Sequence, residues 1–175
     1  MDITQANLDI KTLLQDFSAN LPHFPDGRID YSTSKEAPVL TCFVQFEDKI
    51  LLLRRSDKVG TYKKMWNAVA GYIDEIVPLE KKIFEELREE LGLTEEEIKD
   101  IDIAQPYKFT DEKIDKTWIV IPCLARLRKL PEIVLDWEHT NYKWINPAQI
   151  TDFAIVPELD RSLNSVLQNR ASDFL

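Results

Sequence analysis

The chain is poor in the residues that build disulfide frameworks and zinc sites: its 175 residues include two cysteines and two histidines. Cys42 and Cys123 lie in the apolar runs LTCFVQF and WIVIPCLA, so they read as buried free thiols and a disulfide-stapled scaffold is excluded. Neither His23 nor His139 stands at a metal-ligand spacing from a cysteine. Long apolar runs are missing as well. None approaches the ~20 residues that a membrane-spanning helix needs. The first residues, MDITQANLDIK, carry two acids and no basic segment followed by an apolar one, so no signal peptide is expected. Basic charge is in deficit, with 22 Lys+Arg against 31 Asp+Glu and a net charge of −9. A field of that sign repels nucleic acid and anionic membranes alike, so neither is expected as a partner. A local basic patch can still meet a phosphate. The hydrophobic fraction, 44%, is ordinary and supplies one substantial core. The expectation is a soluble, cytoplasmic protein.

The order of elements follows from periodicity. Ile10, Leu13, Leu14 and Phe17 share one helical face, which predicts a helix over about residues 5–19. The run LPHFPDG then breaks it with two prolines and an Asp-Gly turn. Residues 1–37 therefore read as an N-terminal helix and linker, an appendage or a homodimerisation element and, with less support, a lid, ahead of a main domain over 38–175. Val39–Phe46 and Ile50–Arg54, joined by a polar turn, predict a β-hairpin. Trp66–Ile73 reads as one short strand. Residues 79–91 are the strongest helix, with Ile83, Leu87 and Leu91 at four-residue intervals and Gly92 as its C-terminal cap. Thr94-x-x-Glu97 is a capping box for a further short helix. Strands are expected at Ile101–Phe109, Trp118–Leu127, Ile133–Leu135 and Tyr142–Ile145. A last helix follows, with Pro157 in its first turn. Grouped strands with helices interposed argue for an α+β fold with a mixed sheet sandwiched by helices.

The chemistry concentrates in GYIDEIVPLEKKIFEELREELGL, Gly71 to Leu93. On a helix at ~100° per residue, Glu86, Glu89 and Glu90 fall at i, i+3 and i+4 and share a face, while Leu87 and Leu91 turn to the core. Carboxylates so crowded repel one another, and a hard divalent cation, Mg²⁺ or Mn²⁺, relieves that. Taken alone, the commoner reading of such a cluster is a solvated acidic face.

The same stretch resembles the Nudix box, G-x5-E-x7-R-E-U-x-E-E-x-G-U with U aliphatic. Gly71, Glu86, Leu87, Glu89, Glu90, Gly92 and Leu93 match without gaps, seven of the nine specified positions. The strand ILLLRR and the segment MWNAVAGY ahead of the box, and DWEHTNYKWINPAQI after it, extend the likeness over roughly residues 38–168. The resemblance implies a Nudix-like α/β/α sandwich and Mg²⁺- or Mn²⁺-dependent hydrolysis of a small-molecule substrate, a nucleoside diphosphate linked to another moiety. It implies Glu86, Glu89 and Glu90 as metal ligands, with Glu86, Glu89 and Glu138 as catalytic candidates and Glu138 as the base or an extra ligand. Arg54, Arg55 and Lys63 are candidates for phosphate oxygens, and Trp66, with Tyr62 and Tyr72, for a stacked base.

Two positions depart from the pattern. Val77 stands where the family has its first glutamate, and Glu85 where it has the arginine that orients the glutamate at position 86. Lys82, one turn before Glu86, is placed to restore a positive charge, Arg88 to pair with Glu85, and Asp74 or Glu75 to supply the missing carboxylate. The departures keep open a second class of function, a catalytically degenerate Nudix-fold module that binds a nucleotide or a protein. An isomerase of the isopentenyl diphosphate kind is rejected, because Trp66–Ala70 offers no cysteine.

Overall fold

A computed structural model describes residues 3–172. The outermost ends of the two expected spans, residues 1–2 and 173–175, lie outside the described residues. The centre of the sheet is a parallel pair, β1 (Glu36–Phe46) and β7 (Lys116–Leu127), in register from Glu36 opposite Thr117 to Gln45 opposite Arg126. Each has a free edge shared by two antiparallel strands. On β1 these are β2 (Lys49–Arg55) at Gln45–Phe46 and β4 (Val69–Tyr72) at Val39–Cys42. On β7 they are β5 (Ile98–Ile103) and β6 (Tyr107–Asp111). The two-residue β3 (Trp66–Asn67) and β8 (His139–Ile145) flank β2. The sheet is thus mixed, and it forks on both sides of its parallel pair.

Among the described residues three α-helices cover it: α1 (Ile3–Asn20), α2 (Leu79–Leu91) and α3 (Leu159–Ser172). Alternation along β1 divides the core. Leu40, Cys42 and Val44 join Ile83, Leu87 and Leu91 of α2 and Ala6, Ile10 and Leu14 of α1. Phe43, from the other face, joins Leu124, Ile145, Leu159, Leu163 and Val166. This is the expected α+β sandwich. Among the described residues no helix is long and apolar enough to cross a membrane.

The helical and strand pattern departs from expectation at four places. Trp66–Ile73 divides into β3 and β4, which serve different partners across the fork. Ile101–Phe109 divides likewise into β5 and β6, turned about Gln105-Pro106. Ile133–Leu135 forms no strand: the Val134 N–H bonds the Leu91 carbonyl at 3.0 Å, closing the C-terminus of α2, while Ile133 and Leu135 pack on the core. Pro157 lies in the turn before α3 rather than in its first turn. The ends of α2 fall as read from the sequence, with Gly92 left-handed at φ 72° and the Gly92 and Leu93 N–H groups closing back on the Arg88 and Leu87 carbonyls. Thr94 and Glu97 form their capping box on a single 3-10 turn.

The helix α1 spends its apolar face inside the chain, on α2 and the sheet. It also caps α2. Pro78 at the N-cap offers no side-chain acceptor, and the Leu79 N–H instead donates to Asn7 Oδ1 at 2.7 Å. Asn7 Nδ2 in turn donates to Glu80 Oε2 at 2.9 Å. Asn7→Ala removes a cap worth about 1 kcal/mol. For a chain of this size that corresponds to about 2–4 °C in the thermal midpoint. An unchanged melt would show that water replaces the cap at no cost.

Candidate active site

Two stripes run along α2 at four-residue intervals. Leu79, Ile83, Leu87 and Leu91 are apolar and fully buried, each worth about 1.5–3 kcal/mol of burial. Beside them Lys82, Glu86 and Glu90 are ionisable yet only 8%, 9% and 4% exposed. Charges in such positions must be paired. Lys82 Nζ lies 3.1 Å from Glu86 Oε1 and 3.4 Å from Asp74 Oδ1. Asp74, buried in the turn between β4 and α2, lies with its other oxygen 3.4 Å from Arg28 Nη1. Burial opposes the charge of Lys82, but Glu86 and then Asp74 outweigh it and hold the ammonium above the usual lysine range.

The Glu86 carboxylate lies directly over Gly71, where any Cβ would overlap it. That contact is the local reason for glycine at this point of β4. Burial pushes the Glu86 carboxyl up, against the pull of Lys82. Glu90 is pushed well above the ordinary range, by burial first and then by the charge of Glu86. Its Oε1 accepts the Ala70 N–H at 3.2 Å, but Oε2 is buried without a hydrogen-bond donor. His139 Nε2 stands 3.7 Å from that oxygen. The His139 proton is engaged elsewhere, because Nδ1 faces Asp136 Oδ1 at 2.9 Å and a carboxylate there can only accept. Burial lowers the His139 pKa, which favours the neutral ring.

A cavity of about 350 Å³ opens beside these carboxylates. Its floor is one face of the forked sheet: Val39 and Thr41 of β1, Trp118 and Val120 of β7, Ala70 and Tyr72 of β4 and Phe109 of β6. Tyr72 is 44% exposed and stands 6.0 Å, centroid to centroid, from Trp118. Tyr72 also stacks on Tyr31 at 5.8 Å, and Tyr31 meets Phe17 of α1 edge-on at 5.4 Å. Tyr31 is itself fixed by donating to the Ile73 carbonyl at 2.9 Å. The Trp118 Nε1–H donates to the Tyr62 hydroxyl, which donates to Asp111 Oδ2 at 2.9 Å. Tyr62 holds its place in the wall at a left-handed φ of 51°, uncommon outside glycine.

Glu86, Glu89, Arg55 and Glu138 all line the cavity, with Glu90 buried behind them. Glu89 is exposed at the rim, so the helix face expected to carry three carboxylates carries two buried ones and one in solvent. Arg55 reaches the cavity where a bulge shifts the pairing of β2 with β8, next to half-buried Glu138. Burial, followed by Asp136, raises the Glu138 carboxyl, and Arg55 opposes this. Arg54, Lys63 and Trp66 are not brought to the wall. Arg54 and Lys63 are exposed, and Trp66 packs edge-on against Phe153 at 5.5 Å over the second core. Glu85 pairs with Lys81 at 3.5 Å rather than with Arg88, away from the cavity. Arg28, Phe109 and Trp118 line the site although no sequence motif marked them. Arg28 gave no local signal, since only the path of the N-terminal segment brings it there.

The donor chemistry fits a hard divalent cation. Two crowded carboxylates, one with a buried oxygen lacking a donor, adjoin a third on the rim. Among the described residues no three acidic, histidine or cysteine side chains already converge as a ligand set. The Lys82 ammonium stands against Glu86 instead.

The family model described as NUDIX domain matches residues 35–165 of the chain. Among solved structures, the MutT protein from Methanosarcina mazei Go1 superposes with a TM-score of 0.64 at 21% identity, over 77% of this chain and 95% of that one. An Ap4A hydrolase from C. elegans, in a binary complex, gives 0.62 at 19% identity, over 78% and 98%. The NUDIX domain of Shewanella oneidensis NrtR, complexed with ADP ribose, gives 0.65 at 14% identity, over 89% and 97%. At these identities the likeness is one of fold. Comparison with curated proteins gave no match.

Proposed function

The chain belongs to the Nudix family, and on that premise we propose that it is a divalent-cation-dependent hydrolase of a nucleoside diphosphate linked to another moiety. The observation that carries this reading is the buried pair Glu86, at the wall of the cavity, and Glu90 behind it with its donorless oxygen, in a cavity that also presents Arg28, Arg55 and the exposed ring of Tyr72. Glu86 and Glu90 would hold Mg²⁺ or Mn²⁺, with Glu89 able to reach in from the rim. The ion would neutralise phosphate charge and lower the pKa of water.

The chain's own residues supply the rest. A diphosphate brings dense negative charge to a protein at −9, and the guanidinium groups of Arg28 and Arg55 offer forked donors suited to its oxygens. The exposed ring of Tyr72, backed by Tyr31 and flanked by Trp118, offers a base a stacking surface worth about 1–3 kcal/mol. Glu138, which lines the cavity, is the candidate to take a proton from water or to add a ligand. The C. elegans and Shewanella relatives, an Ap4A hydrolase and an ADP ribose complex, support a substrate of this chemical class.

One observation favours a second reading, a binding module with little catalysis. Lys82 already neutralises Glu86, and Val77 and Glu85 replace two residues of the box.

The test is hydrolysis of a panel of nucleotide sugars, dinucleoside polyphosphates, ADP-ribose and nucleoside triphosphates, followed by phosphorus NMR with and without Mg²⁺ or Mn²⁺. Cation-dependent cleavage of at least one member is expected, and the products identify the phosphorus attacked. Silence across the panel from folded protein, with thermal stabilisation by one compound, would establish the binding module instead.

A further inference from the structure

We infer that Lys82 is a built-in counter-cation, which occupies the cation position at Glu86 and competes with the divalent ion for it. The inference rests on the reading of Glu86 and Glu90 as the ion's carboxylates and adds how that site is regulated. Lys82 is carried on the same helix one turn before Glu86, so no conformational change is needed to bring the two together. Its ammonium lies 3.1 Å from Glu86 Oε1 and 3.4 Å from a second carboxylate oxygen, Asp74 Oδ1. Asp74 is in turn engaged by Arg28 at 3.4 Å.

The result is a local chain of alternating charge, Arg28–Asp74–Lys82–Glu86; beside it, among the described residues, Glu90 has no lysine or arginine at ion-pair distance, and its Oε2 is buried without a hydrogen-bond donor. Around Glu90 stand the acids Glu86, Asp136 and Glu138, and the ring of His139, whose Nδ1 is engaged by Asp136. A divalent ion entering at Glu90 and Glu86 meets the ammonium at ion-pair distance from one of its two ligands. Like charges this close in a buried setting oppose one another strongly. Binding therefore requires the flexible lysine stem to turn wholly onto Asp74 or onto an incoming phosphate. The site accordingly takes its ion weakly when empty and more tightly with an anionic diphosphate present, which supplies both charge for the ion and a new acceptor for Lys82. Methionine in place of lysine keeps most of the stem and its packing while removing the charge.

The experiment is Mn²⁺ titration of the full chain, followed by the loss of the free-ion paramagnetic resonance signal and, independently, by the Mn²⁺-induced shift in thermal midpoint. Lys82→Met is expected to bind Mn²⁺ about tenfold or more tightly than wild type. That gain should disappear when Glu90→Gln is added. If Lys82→Met is too unstable to titrate, because Asp74 and Glu86 then lose the ammonium between them and Arg28 alone offsets Asp74, Asp74→Asn with Lys82→Met removes one of those charges and should show the same tightening. Equal affinity in wild type and variant, both binding, overturns the role of Lys82 and leaves the ion site standing. No Mn²⁺ binding by either protein overturns the site and the inference together.

Discussion

Glu86→Gln and Glu90→Gln are each expected to lower cation-dependent turnover by about 10²–10⁴ while the fold survives. Glutamine preserves the shape of each side chain and removes only its charge. Around Glu86 the balance tolerates that loss: Lys82 keeps Asp74 as its partner, so no buried charge is left alone. At Glu90 the substitution removes a carboxylate that burial and Glu86 already hold far from its ordinary range. The amide oxygen can still accept the Ala70 N–H, so the thermal midpoint should hold or rise. Glu89→Gln, at the exposed rim, should cost less than either. This ordering separates an ion site from a merely acidic helix face, on which the three substitutions would be equivalent. The measurement is kcat on whichever diphosphate the panel yields, beside a melt of each variant. Turnover within about twofold of wild type for both buried positions would remove them from the chemistry.

The difference between those positions also shows how far the sequence carries. Spacing placed Glu86, Glu89 and Glu90 on one face, and a helical wheel alone does not tell a buried edge of that face from its rim. The boundaries of α2 were legible because the apolar interval and the C-terminal glycine are local signals, as were the capping box at Thr94 and the hairpin of β1 and β2. Lys82 beside Glu86 was legible for the same reason, a contact one helical turn long. Contacts made by distant parts of the chain left no such trace. Nothing near Asn7 says that it caps a helix starting at Leu79, and nothing near Arg28 places it against Asp74. The fork of the sheet likewise turned two expected strands into four, because which edge a short strand joins depends on partners remote in sequence. Val134 illustrates the converse, with strand-like residues used to close a helix terminus. Trp66 was a stacking candidate by type, but the short β3 directs it onto Phe153.

Gly71→Ala is expected to reproduce most of the loss caused by Glu86→Gln at little cost in stability. Position 71 needs no left-handed backbone, since its φ lies outside that region, so alanine is not strained there as it would be at Gly92. What a methyl group meets is the Glu86 carboxylate, the far end of a flexible side chain rather than packed backbone. The side chain must swing away. In doing so it gives up the 3.1 Å contact with Lys82. Lys82 falls back on Asp74, and the sheet pairing of Gly71 with Leu40 need not change. The thermal midpoint should therefore fall by only a few degrees, consistent with the loss of about 1 kcal/mol in a chain of this size. Turnover should fall far more. Because both substitutions act on the same carboxylate, combining them should cost little beyond the larger single effect, a strongly non-additive cycle. Additive losses would mean that Gly71 serves the site by another route, such as close approach of the substrate to the β4 backbone. Normal turnover in Gly71→Ala would mean that the position of the Glu86 carboxylate over β4 is not the one used in catalysis.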